Sequence, residues 1–200
     1  MRKLSILVLC IVCTLLLPSC SPRDFLTRRL AADLIATSQT FRAQQQFQLH
    51  TGIIANKDYV SPDYLVLQHR GWISGTNSAC PPALAPPPCW DVTLTPSGVD
   101  TFQSLIAPGD AESKSFNIPA ARRELVAITG IARQGSLADV EFTWRWIPLN
   151  EVGAVLYSGD VHYRSTASFR RYDDGWRLLE GASRPGQPLD DALKNAEPAQ

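Results

Sequence analysis

The residues of this 200-residue chain whose positions most clearly suggest chemistry are its five cysteines. Cys10 and Cys13 lie inside an apolar N-terminal run, Cys20 follows that run, and Cys80 and Cys89 lie in the middle of the chain. A deprotonated thiol is a nucleophile that can accept a lipid, bind a metal or form a disulfide. The positions therefore suggest modification near the N-terminus and cross-linking farther along the chain.

The N-terminal run has the pattern of an export signal. Arg2 and Lys3 give a basic start, and no charged residue occurs from Ile6 to Leu17. A membrane-spanning helix needs about 20 apolar residues, so this run is too short to span and suits the core of a signal peptide. We therefore predict a signal peptide at residues 1–19, which would carry Cys10 and Cys13 away with it.

The segment Leu17-Pro18-Ser19-Cys20 resembles the lipobox of bacterial lipoproteins, with Pro18 in a position where that family prefers Ala, Ser or Thr. The resemblance implies a diacylglycerol thioether on Cys20, cleavage before Cys20, and acylation of the new amino group. Two or more acyl chains anchor a protein stably without a transmembrane helix. The lipobox resemblance also implies a location in a Gram-negative host. Asp directly after the lipidated cysteine favours retention in the inner membrane, whereas other residues, such as Ser21 here, favour the outer membrane. Ordinary secretory cleavage after Ser21 is the alternative.

Cys80 and Cys89 are the cysteines that remain after this processing. Export would place them in a compartment that permits disulfides, and five prolines stiffen the short loop between them. We predict a Cys80–Cys89 disulfide, and two free thiols are the alternative. Because the histidines are scattered and no Cys-x-x-Cys or His-x-x-x-His pair occurs after the predicted signal peptide, we predict no metal site and no cofactor.

Neither the histidines nor the tryptophans indicate catalysis. His50, His69 and His162 are accompanied by no Gly-x-Ser-x-Gly motif that could hold a nucleophile. Trp144 and Trp146 stand two apart in an alternating strand, which predicts that both lie in the core. The alternative is a ligand-binding wall of tryptophans and nearby arginines, formed by stacking or cation–π contacts.

The charge balance limits the partners. Lysine and arginine number 19, and so do aspartate and glutamate, which gives a net charge of zero. Nucleic-acid binding depends on a positive surplus, so we predict no nucleic-acid partner. The membrane, reached through the N-terminal lipid, is the one predicted partner, and the sequence names no protein or small-molecule partner.

The elements that must position these residues begin with a helix. Apolar residues recur at helical spacing from Leu26 to Phe41, which predicts a helix over about 22–46. The region 50–106 contains a helical turn near 62, strands at Gly71–Ser74 and at 89–95, and a helix that Thr95 caps. Within its part from 61 to 106, the stretch from Leu65 through Gly71 to Leu94-Thr95-Pro96-Ser97-Gly98 resembles the wing of a winged-helix domain. That resemblance concerns shape only, because an exported protein meets no genome.

Residues 120–181 alternate between apolar and polar side chains, which predicts an antiparallel sheet with one solvated face. Asp173-Asp174-Gly175 predicts a tight hairpin turn. A helix over such a meander is similar to cystatin-like and NTF2-like architectures. We predict one α+β domain over 20–183, with the N-terminal helix packed on the sheet, the small helix/hairpin subdomain between them, and a mobile tail at 184–200 that has one helical turn near 189–195.

These patterns lead to an expected function. The chain is predicted to be exported and lipid-anchored to the cell membrane or outer membrane, facing the periplasm in a Gram-negative host. Because no catalytic motif is present, we expect a non-catalytic binding or scaffolding role. The alternative is a periplasmic enzyme or small-ligand-binding protein that uses the concave face of the sheet.

Overall fold

A computed structural model describes residues 25–84, 86–106, 114–157, 159–181 and 186–199. The predicted signal peptide and Cys20 lie outside these residues. Within them the chain is a mixed α+β protein, as the sequence predicted, and its strands form two antiparallel sheets. The strands are β1 (Gln45–His50), β2 (Gly52–Ala55), β3 (Ile73–Ser78), β4 (Cys89–Leu94), β5 (Ser115–Gln134), β6 (Leu137–Pro148), β7 (His162–Tyr172), β8 (Gly175–Leu178) and β9 (Glu197–Pro198). The helices are α1 (Arg28–Thr37), α2 (Gln39–Arg42), α3 (Asn56–Tyr59), α4 (Pro62–His69), α5 (Pro96–Phe102), α6 (Glu151–Leu156) and α7 (Leu189–Lys194).

The larger sheet has six strands in the order β1-β5-β6-β7-β8, with β9 beside β7. Strand β6 shows why the sheet forms, since Val140, Phe142 and Trp144 are buried on one face while Asp139 and Glu141 point to the other. The predicted turn between β7 and β8 is confirmed, and Gly175 takes a φ of 131° there. Only glycine adopts such a backbone conformation readily.

The apolar face of this sheet is filled by side chains. Helices α1, α2 and α7 pack over it and contribute residues to one hydrophobic cluster with the strands. Burial of this apolar surface is the main stabilising force for the arrangement. Its large buried members include Leu26, Ile35, Phe41, Phe142, Trp144, Phe169, Trp176 and Leu189.

The prediction of a single helix over 22–46 is wrong in the length of that helix. Helix α1 ends at Thr37, and Ser38 has an extended ψ of 145°. The backbone N–H of Ser38 donates to Ile35 O, and its Oγ accepts from Phe41 N, so one serine ends α1 and caps α2. Residues 45–46 belong to β1 rather than to a helix. There Phe47 and Leu49 are buried and alternate with glutamines, which is the period of a strand.

A smaller, three-stranded sheet in the order β2-β4-β3 forms the middle of the chain. The predicted hairpin is confirmed as β3 paired with β4, and the Thr95 Oγ accepts from Gly98 N to cap α5. Strand β2 is an addition that the sequence analysis did not predict. A second hydrophobic cluster joins this subdomain to β1, to the first half of β5 and to α6. The winged-helix resemblance stays a prediction about shape.

The predicted disulfide is present between Cys80 and Cys89, with Cα atoms 5.2 Å apart. It ties the loop after β3 to the first residue of β4. Cys89 is completely buried, so the bridge joins the hairpin loop to the interior of the subdomain.

Residues 186–199 belong to the fold, in contrast to the predicted mobile tail at 184–200. The expected helical turn is present as α7. Its Leu189 is 0% exposed and its Leu193 8% exposed, and both belong to the hydrophobic cluster on the apolar face of the larger sheet. The Leu189 N–H donates to Leu179 O at 2.8 Å, and β9 pairs with β7. The predicted boundary at 183 is therefore too early, because the packed structure continues to the end of β9.

Candidate functional site

An arginine lies among aromatic rings at the edge of the hydrophobic cluster that covers the larger sheet. Strand pairing places Arg123 of β5 opposite Trp146 of β6, and Trp144 opposite Tyr163 of β7. The Arg123 guanidinium lies 4.7 Å from the Trp146 ring centroid and 5.5 Å from that of Trp144. These are cation–π distances. We call Arg123, Trp144, Trp146, Tyr157 and Tyr163 the aromatic–arginine cluster.

The two tryptophans of the cluster differ in burial. Trp144 is 2% exposed, its Nε1 donates to Ser165 Oγ at 3.0 Å, and its ring stacks on Tyr163 at 4.7 Å. The prediction that Trp144 is a core residue is therefore confirmed. Trp146 is half-buried, packs edge-on against Trp144, and also contacts the ring of Tyr157. The prediction that Trp146 is also a core residue is thus only half right.

Arg123 connects the sheet to α2. Its guanidinium donates to Thr40 O at 3.2 Å and to Ala43 O at 3.3 Å. Burial lowers the pKa of Arg123, although an arginine keeps its charge because its ordinary pKa is so high. Within the described residues the buried Nε of Arg123 has no hydrogen-bond partner. The side chain therefore holds a partly desolvated positive charge that is not fully satisfied.

Two grooves flank the cluster. The larger one, of about 510 Å³, lies between the α1–α2 region and β5 and is open to solvent. Its walls carry three arginines and one carboxylate among apolar side chains: Ala36, Phe41, Arg42, Gln44, Arg122, Arg123, Glu124 and Leu125. The smaller groove, of about 120 Å³, is lined by Trp146, Leu156, Tyr157, Gly159, Val161 and Tyr163. We call the first the arginine groove.

The opposite face of the larger sheet carries surface ion pairs. Arg145 bonds Glu124 at 2.8 Å, and this hydrogen bond raises the pKa of Arg145. Arg145 also reaches Asp160 at 3.4 Å, and His162 lies 3.5 Å from the same carboxylate. Because these side chains are well exposed, the pairs orient one another and contribute little stability. Arg145 thus points away from the tryptophans, as strand alternation requires.

The histidines occupy separate elements: the end of β1, the end of α4 and the start of β7. The Tyr64 hydroxyl accepts a bond from the His50 backbone N–H and donates to the His50 carbonyl, and burial raises the pKa of Tyr64. Across the described ranges, no three histidine, cysteine or carboxylate side chains gather as metal ligands would. In that same part of the chain, none of the helices has the length and apolar character needed to cross a bilayer.

Arg123 is the site residue that the sequence analysis missed. The pair Arg122-Arg123 is visible in the sequence, but adjacent residues of a strand point to opposite faces. Deciding which arginine faces the tryptophans requires the pairing of β5 with β6, and bulges after Leu125 and Ile128 shift that register. Local alternation alone could not have made the choice.

Comparisons with protein-family models, with curated proteins and with solved structures found no match to this chain.

Proposed function

We propose that the protein is exported, lipid-anchored through Cys20, and acts at the envelope surface as a binding or scaffolding protein rather than as an enzyme. The observation that carries the proposal is the Cys80–Cys89 disulfide, with Cys89 buried in the subdomain core. Stable structural disulfides belong to oxidising compartments, which agrees with the export signal and with the Leu17-to-Cys20 motif. The anchored domain would face the periplasm in a Gram-negative host.

The non-catalytic part of the proposal is supported by the arrangement of the polar groups. The apolar face of the larger sheet is packed with side chains from α1, α2 and α7. On the opposite face, acids and bases form exposed ion pairs such as Arg145–Glu124 and Arg164–Glu141. An active site places its acid and base groups around a sheltered pocket, and this open surface gives no such shelter.

Fatty-acid labelling of bacteria that express the protein tests the anchor. Wild-type protein should incorporate labelled palmitate and sediment with membranes, whereas Cys20→Ala should carry no label because it lacks the thiol. Cys10→Ala is the matched control, since it removes a thiol that the signal peptide would carry away. Equal label in wild type and in Cys20→Ala would refute the proposal.

A second candidate function is binding of a small anion in the arginine groove. The observation that favours it is the buried, unpartnered Nε of Arg123 beside the exposed Arg42 and Arg122, which line the same groove. Guanidinium groups bind carboxylate and phosphate with parallel hydrogen bonds. Such a ligand would use the edge of the sheet, whereas the alternative expected from the sequence uses its concave face.

Thermal melts with inorganic phosphate test this second function. Millimolar phosphate at constant ionic strength should raise the melting temperature of the wild-type chain, because a ligand that binds only the folded state stabilises it. The Arg42→Gln/Arg122→Gln variant should lose that increase, and Lys57→Gln/Arg70→Gln should keep it. If all three proteins respond equally to phosphate, the groove binds no anion.

A further inference from the structure

One end of the larger sheet is unusually rich in arginine. There β5 ends at Gln134 and β6 begins at Leu137, while β7 ends at Tyr172 and β8 begins at Gly175. Helix α1 starts beside the same end. Six exposed arginines lie on these strand ends and on the first turn of α1: Arg28, Arg29, Arg133, Arg170, Arg171 and Arg177. We call these arginines, with Phe25 and Tyr172, the arginine-rich end.

The contacts at this end form two groups, one on each face of the larger sheet. Arg133 donates a hydrogen bond to Leu26 O, and its guanidinium lies 5.6 Å from the Phe25 ring. Strand pairing brings Arg170 opposite Arg177, and both guanidiniums lie within 6 Å of the Tyr172 ring, at 5.7 Å and 4.8 Å. Neighbouring strands lie about 4.8 Å apart, so four strand ends span roughly 15 Å.

Positive charge exceeds negative charge on this surface. The aspartates at the same strand ends and turn are Asp139, Asp173 and Asp174, against six arginines. Arg177 pairs with Asp174, which lowers the pKa of that carboxyl, and Asp139 accepts a hydrogen bond from Ser168 at 2.6 Å. Because the whole chain has a net charge of zero, this surplus is a segregation of charge rather than a reflection of composition.

Two exposed aromatic rings accompany the arginines. Phe25 is 50% exposed and Tyr172 39% exposed, although large apolar side chains are usually buried. Aromatic rings flanked by arginines are typical of surfaces that lie at the lipid headgroup level. A surface that bound only a soluble anion would gain nothing from an exposed phenylalanine.

The described residues begin at this same end. Phe25 is the first described residue, and Cys20 precedes it by five positions. Five extended residues span at most about 18 Å, so a lipid on Cys20 would hold Phe25 and its neighbours close to the headgroups. The small subdomain joins the opposite end of β5, where Phe116, Ile118 and Ala120 belong to the second cluster.

We infer that the arginine-rich end is a membrane-facing surface that binds the phosphate groups of anionic phospholipids. This inference rests on the proposed lipid anchor and adds an orientation to it. Each arginine near an anionic surface strengthens attachment, and the attraction decays within a Debye length of about 8–10 Å. The small subdomain, with the disulfide-bonded hairpin, would then project away from the membrane.

Hydrogen exchange on the reconstituted, full-length protein tests the inference. The protein, purified from membranes, is placed in vesicles of phosphatidylcholine alone or with phosphatidylglycerol. Peptides covering 129–137 and 170–177 should exchange at least about threefold more slowly on the anionic vesicles. Arg29→Glu/Arg170→Glu should abolish this difference. Lys57→Glu/Arg70→Glu, an equal charge change in the small subdomain, should preserve it.

Two internal readouts separate the possible failures. Exchange of core residues 138–146 reports whether each variant is folded, and flotation of protein with vesicles reports the anchor. Suppose the protein floats with the vesicles, but the peptides 129–137 and 170–177 exchange hydrogen at the same rate on both vesicle types. That result would overturn the membrane-facing assignment and leave the lipid anchor intact. Protein that does not float would overturn the anchor, and the orientation with it.

Discussion

Replacing Trp144 is the sharpest test of the packing described above. The side chain is 2% exposed, stacks on Tyr163, meets Trp146 edge-on and donates a hydrogen bond to Ser165. Truncation of a buried aromatic residue costs about 3–5 kcal/mol through lost burial and the cavity that remains. That is a large part of the about 5–15 kcal/mol by which domains are stable. Trp144→Ala should therefore leave the domain barely folded.

Urea melts followed by circular dichroism measure this loss. With a slope near 2 kcal/mol per molar urea, Trp144→Ala should lower the midpoint by about 2 M. Trp144→Phe keeps most of the ring and leaves the buried Ser165 hydroxyl without its donor, so a smaller loss of about 1–3 kcal/mol is expected. Arg145→Ala, the neighbouring exposed residue, should leave the midpoint near that of wild type. A Trp144→Ala midpoint equal to wild type would refute the core assignment.

Three further changes probe other parts of the fold. Gly153→Ala should lower the free energy of unfolding by about 2–3 kcal/mol, because the added Cβ would lie 1.8 Å from a β5 carbonyl oxygen. The control is Gly181→Ala, whose Cβ would meet nothing within 4 Å, and it should leave the midpoint of the same urea melts unchanged. Non-reducing mass spectrometry should find Cys80 bonded to Cys89, and Cys80→Ser/Cys89→Ala should cost about 2 kcal/mol; two alkylatable thiols in exported protein would contradict this. Leu189→Ala should cost about 2–5 kcal/mol by urea melt, and an unchanged midpoint would mean that the C-terminal segment is an appendage after all.

Sequence patterns predicted the structure best where residues close together in the chain determine the local conformation. Alternation in β6 predicted its buried face, and a glycine after two aspartates predicted the β7–β8 turn. Thr95 before Pro96 predicted a helix start. Each of these features is decided by neighbours within a few residues, so a single sequence contains the information.

Other features depended on contacts between distant residues or on a signal that we read wrongly. Gln45–His50 alternates like a strand, but the predicted helix was extended over its first two residues, to residue 46. The spacing of Leu189 and Leu193 suits one turn of an amphipathic helix, but the sequence does not show which distant residues that turn packs against. The position of Arg123 against the tryptophans follows from a bulged strand register, which one sequence does not reveal.

The most direct test of the central claim is mass spectrometry of the mature N-terminus. Trypsin should release Cys20–Arg23 from membrane-extracted protein as a peptide that carries a diacylglycerol on the Cys20 sulfur and an acyl chain on its amino group. We predict that this acylated peptide is the main N-terminal species. An unmodified peptide that begins at Pro22 would indicate ordinary secretory cleavage, and one that continues back to Leu4 would indicate no processing. Either result would contradict the lipid anchor.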